Sequence, residues 1–210
     1  MNISVLESYA ILAASFITGI FGPLLIQYTR NRKAVKLHKQ KDPISKDLDI
    51  NLLIDEQLEQ IHTDLNTDRV WISQFHNGGN FYPTGKSMQK FSLVYEQIRP
   101  GIKPMRETYS NIPVSLFTKS LKYLYDNDEL LLPTVTSDNM GLRSFADELG
   151  NKSSYLFALK SLHGDFLGTM GVEFCIEQKN LTEGETQDLR IKAAAIGSLL
   201  STKLNIPYKK

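Results

Sequence analysis

His76, Asn77, Gly78 and Gly79 run together in the stretch RVWISQFHNGG and are the residues best suited to ligand chemistry. Imidazole and carboxamide offer donors and acceptors, and a glycine pair lets the backbone approach a ligand closely. The tetrad also reads as turn chemistry, because Asn-Gly is a favoured tight-turn dipeptide. It is not a phosphate loop, since neither G-x-G-x-x-G nor a Walker sequence is present. Tyr82, Lys86, Tyr95, Glu96, Arg99, Arg106 and Tyr109 follow in the next stretch. Glu96 reads either as a pocket carboxylate or as a solvated strand position. Arg106 and Arg143 read either as a bidentate grip on an anion or as surface residues. The candidate ligand-binding set is therefore His76, Asn77, Tyr82, Tyr95, Glu96, Arg106 and Arg143.

Nothing comparable points to catalysis. Cys175, in GVEFCIE, ends an apolar run and reads as a buried, inert thiol. The four histidines, at 38, 62, 76 and 163, are scattered, and no Cys/His spacing makes a zinc site. Asp126 and Asp128 flank Asn127 without the rest of a calcium loop. No catalytic residue, metal or cofactor is expected, and the chain is not expected to be an enzyme.

These residues sit in a chain of 210 residues with 41% hydrophobic and 22% charged content, enough for one packed domain with an appendage. The net charge of +1 excludes a general electrostatic nucleic-acid binder. The single cysteine excludes an internal disulfide. The mean hydropathy of −0.24 hides an uneven distribution. Residues 8–29, SYAILAASFITGIFGPLLIQYT, contain no charge. As a helix they span about 33 Å, enough for a bilayer core of about 30 Å. The run reads as an uncleaved transmembrane helix, since Glu7 precedes it and no basic n-region does. Six Lys and Arg residues follow between Arg30 and Lys41, and none precedes. This asymmetry predicts a single pass through the inner (cytoplasmic) membrane with the remainder in the cytoplasm. Ala10, Ala14, Thr18 and Gly22 form a small-residue stripe that predicts self-association of this helix.

Residues 30–48 read as a basic juxtamembrane linker, and 49–205 as the folded domain. NLLIDEQLEQIHTDL places Leu53 or Ile54, Leu58, Ile61 and Leu65 on one helical face. RVWISQFHNGG and Phe91–Ile98 read as strands, the first stopping at its glycine pair. Residues 113–126 predict a helix with Leu116, Phe117, Leu121 and Leu124 inward. Residues 129–135 read as a short strand, and SDNMGLRSFADELG as a short helix capped by Ser137 or Asp138. Two strands then flank a hairpin turn at Leu162-His163-Gly164-Asp165. Thr182 and Glu185 have capping-box spacing before a long helix with Leu189, Ala193, Ile196, Leu200 and Leu204 on its apolar face. The order predicts an α+β domain, an antiparallel sheet with flanking helices, preceded by one transmembrane helix.

KSSYLFALKSLHGDFLGTMGVEFC with the capped helix after it, and the opening helix plus RVWISQFHNGG, resemble the GAF family, relatives of PAS domains. The resemblance covers about residues 48–205 and implies a sheet whose loops enclose a pocket. Family members use that pocket for cyclic nucleotides, haem or bilins, or leave it empty and act as dimerisation modules. Large side chains such as Phe91, Tyr155, Phe157 and Met170 are candidates to fill it here. The layout also resembles the holins of T-even phages, which carry one N-terminal transmembrane helix and a soluble α+β domain; their soluble domain lies outside the inner membrane, whereas the flanking charges here point inward. The expected function is a membrane-anchored GAF-like sensory or protein-interaction module, non-enzymatic, ligand-binding and self-associating. The alternative is a phage-type holin whose soluble domain regulates lysis timing. The expected partners are the membrane, a second copy and an unidentified protein, not nucleic acid.

Overall fold

The computed structural model describes residues 43–135 and 148–204. The expected membrane span at 8–29, its small-residue stripe, the basic residues 30–41, the short helix with its Ser137 or Asp138 cap, and Arg143 lie outside them. The chain divides into two compact units, Met1–Lys46 and Asp47–Lys210. Among the described residues no helix is long and apolar enough to cross a membrane.

The expected linker up to residue 48 gives way to helix. Helix α1 runs Pro43–Leu65, beginning on a proline whose missing N–H costs nothing in a first turn. Its inward face is Ile50, Ile54, Leu58, Ile61 and Leu65, so Ile54 is buried and Leu53 is exposed. Asn66, at φ 51°, ends it. Arg99 donates to the Asn66 carbonyl at 3.0 Å and Lys179 to the Leu65 carbonyl at 2.9 Å, placing two cations at the negative end of the helix dipole.

Strands β1 (Arg69–Phe81) and β2 (Lys86–Ile98) form a long hairpin. Here the sequence expectation is corrected. His76-Asn77-Gly78-Gly79 does not turn the chain but stays in β1, with an irregular register between Asn77 and Asn80. The turn comes at Tyr82–Gly85, where the Gly85 N–H donates to the Phe81 carbonyl at 2.8 Å and Gly85 adopts φ 69°. A two-residue β3 (Ile112–Pro113), a 3₁₀ turn (Val114–Phe117) and helix α2 (Thr118–Asn127) follow. The 3₁₀ turn shifts the helical phase, so Leu124 is buried as expected while Leu116 is 67% exposed. Strand β4 (Glu129–Leu132), the hairpin β5 (Ser153–Lys160) and β6 (Phe166–Phe174), and helix α3 (Glu183–Lys203) complete the domain.

All neighbouring strands pair antiparallel, in the order β3-β2-β1-β6-β5-β4. The central β1–β6 pair brings the two hairpins together. One face, with Val70, Ile72, Tyr95, Tyr155, Phe157, Met170, Val172 and Phe174, packs on α1 and α3. Helix α3 opens with the expected capping box, Thr182 Oγ1 accepting from the Glu185 N–H and Glu185 from the Thr182 N–H. Its buried side is Leu189, Ala193, Ile196 and Leu200, while Leu204, at the C-cap, is half exposed. The second face of the sheet carries Trp71, Leu93, Leu130, Leu132 and Leu156 under α2 and the loop through Met105 and Tyr109. That face positions the candidate site.

Candidate functional site

Strand alternation sends Arg69, Trp71 and Ser73 of β1 to the second face, with Thr169, Gly171 and Glu173 of β6 beside them. Gly171 lies opposite Trp71, and a Cβ there would overlap the indole, so the glycine is what lets Trp71 lie flat across β6. Phe91 from β2 meets Phe117 edge-on, with ring centroids 5.5 Å apart. With Leu93, Leu156 and α2's Ser120, Leu121 and Leu124, these side chains fill most of the space between sheet and helix. A cavity of about 40 Å³ remains, and Thr169 Oγ1 has no hydrogen-bond partner among the described residues. A water needs only about 10–15 Å³ of such space.

At one end of this face lies a buried ionic cluster. Arg69 is fully buried. Its Nη1 donates to Glu173 Oε2 at 2.5 Å and to Asn151 Oδ1 at 3.1 Å, and its Nη2 to the Lys103 carbonyl at 2.7 Å. Its Nε lies 3.8 Å from Glu96 Oε1. Glu96 accepts the backbone N–H of Met105 at 2.8 Å and of Arg106 at 3.2 Å. Asp68, at the start of β1, accepts the N–H groups of Cys175 and Ile176 at 2.7 and 2.9 Å and pairs with Arg99 at 3.0 Å. The cluster therefore ties the loop after β2 and the end of β6 to the start of β1. Burial pushes the Glu173 carboxyl upward, and Arg69 pulls it back. Burial and the carboxylate of Glu148 push the Tyr109 phenol up to about 12. Cys175 is half-buried, its thiol donates to Asn151 Oδ1 at 3.3 Å, and burial pushes it up to about 11. Such a thiol is protonated and a weak nucleophile near neutrality, as its place in the sequence implied.

The candidate ligand residues do not converge. His76 is half-buried on β1, its Nε2 2.9 Å from Ser92 Oγ, which also accepts the Asn111 N–H at 2.8 Å. Asn77 is exposed and accepts from Gln89 at 3.1 Å. Tyr82 is 97% exposed at the hairpin tip. Tyr95 points to the opposite face, where its hydroxyl donates to Asn51 Oδ1 at 2.6 Å and accepts from Lys203 at 3.1 Å. Glu96 is neither solvated nor open to a ligand, because both oxygens hold the 105–106 backbone. Only Glu96 and Arg106 come together, through the Arg106 backbone rather than its guanidinium. Of the four large side chains expected to fill the pocket, Phe91 does so, while Tyr155, Phe157 and Met170 lie on the other face.

Sequence reasoning missed Arg69, Asp68, Glu173, Ser73 and Thr169. The signal was present. Glu173 stands in GVEF two residues from Gly171 and four from Thr169, and strand alternation gives those three one face. A charged residue inside a run that apolar neighbours bury on both sides needs a partner, and Arg69 stands at the matching end of the adjacent apolar strand. Among the described residues no group of His, Cys, Asp and Glu could hold a metal ion.

No family model matches the sequence, and no curated protein matches it. Solved structures do match in fold. A far-red cyanobacteriochrome photoreceptor is similar with a TM-score of 0.59 and 14% identity, over 87% of this chain and 100% of that one. The GAF domain of PixJ from Thermosynechococcus elongatus, in its blue-light absorbing form, is similar at 0.60 and 15%, over 77% and 89%. A phycocyanobilin-bound GAF domain from a cyanobacterial phytochrome is similar at 0.55 and 14%, over 85% and 95%. The domain thus has a GAF-like α+β fold, as the sequence resemblance implied.

Proposed function

We propose that this chain is a membrane-anchored GAF-like module that senses and relays through protein contacts, with no pigment and no catalytic step of its own. The observation that carries the reading is the filled second face. Trp71, Phe91, Phe117 and Leu124 leave a cavity of about 40 Å³. Pockets for drug-sized ligands are about 300–1,000 Å³. A similar phytochrome domain is phycocyanobilin-bound, and among the described residues the space between Trp71, Phe91 and α2 is far below the size of such a ligand. Arg69, Glu173, Asn151 and Glu96, at one end of this face, are engaged with each other and with backbone, which supports a structural rather than a catalytic role for them. The full-length chain mixed with phycocyanobilin and passed through gel filtration is expected to elute without visible absorbance. A co-eluting visible band would overturn the closed-face reading.

The anchor is read from the sequence: the uncharged run at 8–29, the six cations after it, and the Ala10, Ala14, Thr18 and Gly22 stripe that supports a homo-oligomer. The module then works at the inner membrane from its cytoplasmic side and passes its signal to a partner protein. Reporter fusions after Lys210 test the side. A fluorescent protein that matures only in the cytoplasm is expected to glow, and a phosphatase active only outside it to stay silent. The reverse pattern would overturn the cytoplasmic placement and make the phage-type holin layout the better reading.

A further inference from the structure

Beyond Gln74 the β1–β2 hairpin leaves the rest of the sheet. β6 pairs with β1 only from Arg69 to Gln74, and β3 pairs with β2 only at Lys90 and Phe91. Among the described residues, Asn77–Gln89 is therefore a ribbon of two strands with both outer edges open. Phe75 packs on Phe166 at 4.8 Å between centroids and anchors its base. At the tip, Phe81 is 48% and Tyr82 97% exposed. Lys86 pairs with Phe81 in the strand register, just behind the tip. Lys90 pairs with His76 nearer the base, and its stem crosses over Gly78, where any Cβ would overlap it.

The charge pattern selects a partner. From Arg69 to Tyr95 there is no Asp or Glu, so the ribbon carries cations only. Between Arg69 and Arg99 there is also no arginine, the residue suited to bidentate phosphate recognition in nucleic acids. What remains is an aromatic, amphipathic tip with ammonium groups set back from it. Aromatic rings settle at the headgroup level of a bilayer, and lysines behind them gain from anionic lipid. We infer that the β1–β2 ribbon is a lipid-contacting arm, which seats Phe81 and Tyr82 in the interface of an anionic membrane while Lys86 and Lys90 face its headgroups. The inference rests on the membrane-anchored reading above, which brings the domain to a bilayer.

The test uses the full-length chain carrying Tyr82→Cys and Cys175→Ser, labelled at the tip with an environment-sensitive fluorophore. It is reconstituted into vesicles of phosphatidylcholine with or without phosphatidylglycerol. With phosphatidylglycerol, the label is expected to shift to the blue and to be quenched by spin-labelled lipid. Lys86→Gln with Lys90→Gln is expected to reduce tip partitioning roughly twenty-five-fold, each lysine near an anionic surface contributing about fivefold. Added salt is expected to act in the same direction. A water-like label on chains that float with the vesicles would overturn the arm and leave the anchor standing. Chains that do not float at all would overturn both. A label that responds to an oligonucleotide and not to anionic vesicles would overturn the lipid assignment in favour of nucleic acid.

Discussion

Glu173→Leu, with Arg69 left in place, is expected to lower the unfolding free energy of the domain by about 3–5 kcal/mol. The reason is asymmetry. Arg69 and Glu173 are both wholly inaccessible and meet at 2.5 Å. Removing the carboxylate strands a guanidinium that cannot leave its charge behind, with only Glu96 at 3.8 Å to face it. Arg69→Met is expected to cost less, because an orphaned Glu173 can take up a proton. The double variant Arg69→Met with Glu173→Leu is expected to recover much of the loss, since two apolar side chains of similar volume need no partners. The measurement is urea unfolding of the full-length chain followed by the fluorescence of Trp71, the single tryptophan, which stands on the same face one turn of the pleat away. A double variant as unstable as the sum of the two singles would show that the ion pair carries no coupling, and the account of the cluster as one unit would be lost. The same guanidinium holds the Lys103 carbonyl, and Glu96 beside it holds Met105 and Arg106. The loop that closes one end of the second face is thus built on this pair.

Gly168→Ala is expected to cost about 3 kcal/mol, the upper part of the usual range for forcing atoms into a packed site. A Cβ at Gly168 would run into the carbonyl of Ser73 and the Cα of Gln74. Those are backbone atoms of the central strand, so no side-chain rotation relieves the overlap. β1 and β6 would have to separate at the last register pair that joins the two hairpins, Gln74 with Gly168. Gly184→Ala is the internal control, since a Cβ there meets nothing within 4 Å and the residue lies in the first turn of α3. It is expected to leave stability unchanged or raise it slightly, because alanine loses less backbone entropy than glycine in a helix. Equal urea midpoints for the two variants would mean that the close approach of β1 and β6 is not a constraint on the fold.

Much of the architecture is local in origin and legible in the sequence. The capping box at Thr182 and Glu185, the turn at 162–165 and the inward series Ile54, Leu58, Ile61 and Leu65 depend on residues within a few positions of each other. Short-range chemistry of this kind sets the element where no long-range pairing competes with it. Element order then narrows the fold to an antiparallel sheet with helices, and the GAF-like match agrees.

The site was a different matter, because its defining contacts are long-range. Asn-Gly in His76–Gly79 obeys turn chemistry in isolation, yet pairing with Lys90 and Gln89 across the hairpin holds it in the strand. Tyr95 and Glu96 are neighbours in sequence and belong to opposite faces, so a cluster in the chain is not a cluster in space. Arg69 and Glu173 are 104 positions apart and touch only because β1 and β6 are adjacent. Composition and periodicity state how often a residue type recurs, not which strand lies beside which. The sequence by itself determined the long helices, the main strands and the uncharged N-terminal run, but not β3, the helical start at Pro43 or the continuation of β1 through Gly79. Only the tertiary structure decided that the second face is filled, that its charges hold one another, and that the hairpin tip stands free, since each is a property of strands brought together by burial.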